Sequence, residues 1–147
     1  MGENIRAEII KLRKNSKFAY VGSVSEEGFP QIKCMFTIKS DDTQTHYFST
    51  NTSSKRVAQF ISNPKASVYY CNETWFKGAM FTGTMEVCED RETKERFWNK
   101  GDEKYYPKGV TDPDYCILKF NAESVNYYHG LSNTALSIDE VENTTAL

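Results

Sequence analysis

At 147 residues the chain suits one domain of ordinary size, long enough to build a core. Its 18 Lys and Arg stand against 20 Asp and Glu, so no global field favours nucleic acid or an anionic membrane. A 14% aromatic content excludes a disordered chain, and no apolar run approaches the roughly 20 residues that span a bilayer.

In chain order, Met1-Gly2-Glu3-Asn4-Ile5-Arg6 lacks the apolar core of a signal peptide, and Arg6 stands where a myristoylation signal needs Ser or Thr. Residues 4–15 read as a helix, with Ile5, Ile9 and Leu12 on one face and Arg6, Lys11, Arg13 and Lys14 on the other. Phe18 to Val24 is a strand by its β-branched and aromatic content. Glu26-Glu27-Gly28 turns the chain, and Pro30 opens a second strand running from Gln31 to Lys39. A turn at Ser40 to Thr43 leads to a third strand, Thr45 to Ser49, completing an antiparallel meander.

The next stretch, Tyr47-Phe48-Ser49-Thr50-Asn51-Thr52-Ser53-Ser54-Lys55-Arg56, carries the chemistry. An apolar strand end runs into hydroxyl and amide side chains, then two cations, then a helical pattern at Val57, Phe60 and Ile61. The first-turn N–H groups of a helix lack intrahelical partners and favour an anion, and Ser, Thr, Lys and Arg add donors suited to phosphate. The same residues also suit an ordinary Ser N-cap followed by two solvated bases.

That helix stops at Asn63-Pro64. Ala66 to Cys71 is a fourth strand, and Gly78 to Val87 a fifth, in which Gly83 marks a bulge or close backbone approach. Asp90 caps a helix over Arg91–Asn99, with Gly101 at its C′ position. A polar loop, 102–114, precedes a sixth strand at Tyr115 to Phe120, which Ser124 to Gly130 continues or extends. From Leu131 onwards the chain reads as a polar tail that frays. The fold class expected is α+β: six antiparallel strands that most simply close into a small barrel, with flanking helices, in a single domain spanning 1–147. Cys34, Cys71, Cys88 and Cys116 are widely spaced, with only His46 and His129 to assist, so reduced thiols in a cytoplasmic protein are expected rather than a metal site.

This ordered set resembles the FMN-binding split β-barrel family, the pyridoxamine 5′-phosphate oxidase-like proteins, and within it the general stress protein 26 subgroup. The residues that carry the resemblance are Gly28-Phe29-Pro30, Phe48-Ser49-Thr50-Asn51, Ser54-Lys55-Arg56, Asn63-Pro64, Gly83 and Val125-Asn126-Tyr127-Tyr128. The resemblance implies the split form of that barrel, a six-stranded antiparallel split β-barrel. It implies an FMN phosphate held by Thr50, Ser54, Lys55 and Arg56, with Asn51 in the same polar loop. It also implies a flavin ring beside Lys33, Cys34, Met35 and Phe36, with Ser49 next to the cofactor. Tyr128 takes the place of the aromatic that covers the ring from a partner subunit, so the resemblance implies a homodimer with the site at its interface.

The late Arg and His with which the classical oxidases hold their vitamin substrate are missing from Leu131-Ser132-Asn133-Thr134-Ala135-Leu136, and the second-strand basic residue is replaced near Ile38 and Lys39. The expected function is therefore an FMN-dependent oxidoreductase that is not a true pyridoxamine-phosphate oxidase, with no protein residue as general acid or base. The alternative is a stress or sensor protein that holds FMN without turnover. A third possibility keeps the fold and swaps the ligand, since relatives bind haem or a deazaflavin; for haem, the two histidines give little support. Trp75-Phe76 suits either a substrate pocket or core and interface packing, while His129 suits a proton donor or a surface side chain. Cys34 is expected to be a buried, inert thiol rather than a redox group, and the 102–114 loop is equally suited to covering the site or to dimer packing.

Overall fold

A computed structural model describes residues 4–143, so the Met1-Gly2 start and residues 144–147 lie outside the described residues. The first helix, α1 (Ile5–Asn15), begins where the Asn4 side chain accepts from the Ala7 N–H at 3.1 Å. Ile9 and Leu12 are buried as expected. Arg13 is not on the solvent face: it lies four residues after Ile9, on the same side of the helix, and is only 2% exposed.

Strands β1 (Phe18–Val24), β2 (Pro30–Phe36) and β3 (Thr45–Asn51) precede helix α2 (Lys55–Ser62). Then come β4 (Lys65–Asn72), β5 (Lys77–Cys88), helix α3 (Arg91–Phe97) and the long strand β6 (Tyr115–His129). The two late strand segments expected from the sequence are thus one element. The order across the sheet is β2-β1-β4-β5-β6-β3, with every pairing antiparallel. β2 and β3 come within 8 Å of each other, Cα to Cα, without forming a ladder, so the sheet curls but does not close. The barrel is split, and the gap lies between β2 and β3.

Among the described residues the sheet has seven strands rather than six. Gly130 turns the chain at φ 61°, and β7 (Ser132–Ser137) folds back on the second half of β6. Helix α4 (Ile138–Asn143) follows and buries Ile138 and Val141. What reads as a fraying polar tail is therefore structured over residues 132–143, its apolar anchors too few to reveal it. The third helix also ends early, at Phe97 with Trp98 as its C-cap. Gly101 instead takes its left-handed φ of 101° in the next turn.

One core fills the barrel with the inward residues of the strands plus Val57 and Phe60 of α2. A second packs Cys88, Tyr115 and Ile117 against Tyr47, Phe97, Trp98 and Tyr106, which explains why Phe97 and Trp98 occur in so polar a helix. β5 and β6 slip register at Thr82/Gly83, where the two backbones nearly touch. A Cβ on Gly83 would sit 2.0 Å from the Asn121 carbonyl oxygen. Gly83→Ala should therefore destabilise the fold by at least about 2 kcal/mol, read as a lower urea midpoint. An unchanged midpoint would mean that the backbones can part.

Inside the barrel, His46 is fully buried between two partners. The Tyr70 hydroxyl lies 2.8 Å from Nδ1 and the Thr43 carbonyl 2.9 Å from Nε2, so Nε2 carries the proton and donates to the carbonyl. Burial, and then the nearby Arg13 guanidinium, push the His46 pKa down to about 3. Because the folded value lies below the unfolded one, the stabilisation is complete above pH ~6.5 and is lost as pH falls toward the folded value. Stability should decline by ~1.4 kcal/mol per pH unit below pH ~6 from this group alone. Urea midpoints between pH ~7 and pH ~5 check this, and a flat profile would show that His46 protonates in the folded protein.

Candidate functional site

The loop after β3 is built as a donor cradle. Side chains alternate along the strand, so Thr50 is buried while its neighbour Ser49 is exposed on the opposite face. Ser54 caps α2, its Oγ accepting from the Val57 N–H at 3.4 Å. Arg56 turns back across the loop and donates from Nη2 to Thr50 Oγ1 at 3.3 Å. Its Nε is buried with no hydrogen-bond partner among the described residues. Burial pulls the guanidinium below its ordinary pKa. Lys55 is exposed beside it.

Asn51 Nδ2 donates to Ser53 Oγ at 3.0 Å, holding the turn between strand and helix. The other clamp is a residue that the sequence does not single out. The Asp114 carboxylate accepts from the Ser53 N–H at 2.8 Å and the Asp114 carbonyl from the Thr52 N–H at 2.7 Å. The Thr52 hydroxyl donates to the Pro113 carbonyl at 2.9 Å. Sixty-one positions separate Ser53 from Asp114, and only the pairing of Asn51 with Tyr115 makes them neighbours. The one signal available is the Asp112-Pro113-Asp114 turn chemistry ahead of a strand.

Lys33, Cys34 and Met35 lie on β2, the other lip of the gap. They pair with Val21, Tyr20 and Ala19 of β1. Met35 is buried, whereas Lys33 and Cys34 are exposed, so Cys34 is not the buried thiol expected from the sequence: strand alternation turns it to the face opposite Met35. Thr50 and Arg56 are thus in contact at the start of α2, with Ser54 and Lys55 beside them, while Lys33, Cys34 and Met35 lie on the other edge strand of the sheet.

Tyr128 is elsewhere. Cys116 is the β6 partner of Thr50, and Tyr128 comes twelve residues later on that strand, roughly 40 Å away along it at about 3.3 Å per residue. Its ring lies over Gly78, where a Cβ would meet the ring atom Cε1 at 2.4 Å. The Tyr128 and Tyr69 hydroxyls hydrogen-bond each other, their rings stacked with centroids 6.5 Å apart. Phe76 packs edge-on against Tyr128 at 5.5 Å. The surrounding sheet face is apolar and open: Ile32 is 77% exposed, Phe36 67%, and Phe18, Tyr20 and Met80 are also exposed. His129 is exposed next to it.

The chain matches the model of the family "Pyridoxamine 5′-phosphate oxidase like" over residues 4–144. Among solved structures it is similar to a protein from Clostridium acetobutylicum described as related to general stress protein 26 of Bacillus subtilis, in the pyridoxinephosphate oxidase family. That likeness has 40% identity and a TM-score of 0.86 over 96% of this chain and 99% of the other. General stress protein 26 from Bacillus anthracis shares the fold at 19% identity and a TM-score of 0.75, covering 92% of this chain and 99% of that one. None of the curated proteins matches this chain. With the family match running through both lips of the gap and the whole of β6, the chain belongs to the pyridoxamine 5′-phosphate oxidase-like family.

Proposed function

We propose that this protein binds FMN as a homodimer and is an oxidoreductase other than a pyridoxamine-phosphate oxidase. The observation that carries the reading is the buried, partnerless Nε of Arg56 beside Thr50 at the start of α2. Arg56 is only half-buried, so its guanidinium stays within reach of an anion that would pair with it. A phosphate at this point meets the Arg56 guanidinium, the Thr50 hydroxyl and the first-turn N–H groups that helix geometry leaves free. The residues present therefore fit the phosphate end of FMN.

Bound there, FMN supplies the electron or hydride transfer. The protein's part is positional. Asp114 and Asn51 hold the loop in shape before any ligand arrives, lowering the ordering cost of binding. The exposed β2 backbone beside Lys33, Cys34 and Met35 offers polar groups to the ring edge, and Ser49 a hydroxyl near it. Tyr128 is too far along β6 to cover a ring anchored at Thr50 of its own chain, so a second copy related by a two-fold axis supplies it. The open apolar face around Ile32 and Met80 supports such an interface. No Arg or His occurs in Leu131 to Leu136, which removes the side chains for the vitamin substrate. The four cysteines are free, in keeping with a cytoplasmic setting.

A second reading, a flavin-holding stress protein without turnover, is favoured by the name of the 40% identical relative. It predicts a bound flavin that NADH and NADPH reduce only sluggishly, whereas the oxidoreductase is reduced quickly by one of them.

Replacing Lys55 and Arg56 together with Ala should cost on the order of 1.5–3 kcal/mol per charged hydrogen bond lost, raising the FMN Kd at least about tenfold. A double variant that still purifies fully yellow would refute the phosphate site. Tyr128→Ala should weaken FMN binding and brighten flavin fluorescence while the dimer persists in light scattering. Unchanged fluorescence and affinity would remove Tyr128 from the site.

A further inference from the structure

A concavity of about 790 Å³ lies between α1 and the turn joining β4 to β5, away from the phosphate loop. Its volume is that of a small-molecule site. Phe18, Tyr20, Leu12 and Trp75 supply the apolar wall. Trp75 is 68% exposed, a large aromatic surface with nothing packed over it. The turn that presents it is strained, for Phe76 holds a left-handed φ of 49° that a bulky side chain rarely adopts. The strained conformation is held by the Trp75 N–H on Asn72 Oδ1 at 3.2 Å and by the Phe76 carbonyl, which accepts from the Gly130 N–H at 2.9 Å.

The charges are ordered along the cavity. At the α1 end stand Lys11 and Lys17, both exposed, with Lys17 Nζ 5.5 Å from the centre of the Phe18 ring. Glu8 is already matched to Lys77 at 3.2 Å and adds no net charge. Glu73 lies at the other end, on the rim shared with the hollow that holds Phe76 and Tyr128. Tyr20, Cys71 and Glu73 line both hollows.

We propose that this groove binds a planar aromatic molecule bearing an anionic group, its ring against Trp75 and Phe18 and its charge at Lys11 and Lys17. The aromatic wall binds the ring by area and stacking, while the two ammonium groups select the charged species.

Calorimetric titration of the FMN-supplied protein with 2-naphthoate, and with the neutral 2-naphthalenemethanol, tests this. One naphthoate per chain is expected, bound about tenfold more tightly than the alcohol. Lys11→Gln with Lys17→Gln should erase that preference, and Trp75→Ala should weaken both probes. All three side chains are exposed, so the variants fold. Absence of saturable binding, equal affinity for the two probes, or indifference to Trp75→Ala would each overturn the proposal. Flavin absorbance of the same samples separates the two readings. Protein that takes up no FMN yet binds naphthoate through Trp75 supports the groove and refutes the cofactor, whereas yellow protein that ignores naphthoate refutes the groove alone.

Discussion

The pairing of β3 with β6 is the constraint on which the rest depends. It sets Thr50 opposite Cys116 and Asn51 opposite Tyr115, and so delivers Asp114 to a loop 61 residues upstream. A slip of one residue would turn Thr50 to the outer face and bury Ser49 in its place. The register is protected from the other side by the β5–β6 ladder, whose single slip at Gly83 is locked by backbone contact. β6 is thus the ruler of the fold, with the phosphate loop measured off its first half and Tyr128 off its second.

Polar groups deep in the barrel add specificity rather than bulk stability. Arg13 is buried with its guanidinium on the Asp42 carbonyl, and its Nε has no partner among the described residues. His46 and Tyr70 complete the same cluster. Such a group fits best where α1, β3 and β4 meet in this arrangement, because a different one would leave the Arg13 Nη1, His46 and Tyr70 groups without the partners they have here. Lys94 plays the same part in the second core, reaching the Asp112 carbonyl at 3.1 Å while Tyr115 donates to the carbonyl of Lys94 at the same distance. These contacts bind the 102–114 segment to the strand from which Asp114 emerges.

Most of this was legible in the sequence where one residue's neighbours decide its state. The cap at Ser54, the stop at Asn63-Pro64, the tight spot at Gly83 and the grouping of Thr50 with Arg56 follow from local patterns. What escaped depends on partners far along the chain. Arg13 looks solvated until α1 is laid on the barrel, and Asp114 looks like turn punctuation until β3 finds β6. β7 has no buried residue, so alternation could not reveal it. Its existence rests on pairing with Val125 and its neighbours, information held by the partner strand.

The glycine beneath Tyr128 works differently from the one at the bulge. At Gly83 an added methyl meets the backbone of the adjoining strand, which cannot yield. At Gly78 the three nearest atoms all belong to the Tyr128 side chain, Cε1, Cζ and the hydroxyl oxygen, and a side chain can swing. Small residues at position 78 would therefore lift the aromatic off the sheet by degrees while leaving the ladder intact. Gly78 is a tilt adjuster: a site where natural variation can reset the angle of one exposed ring, and whatever rests on it, without disturbing the core.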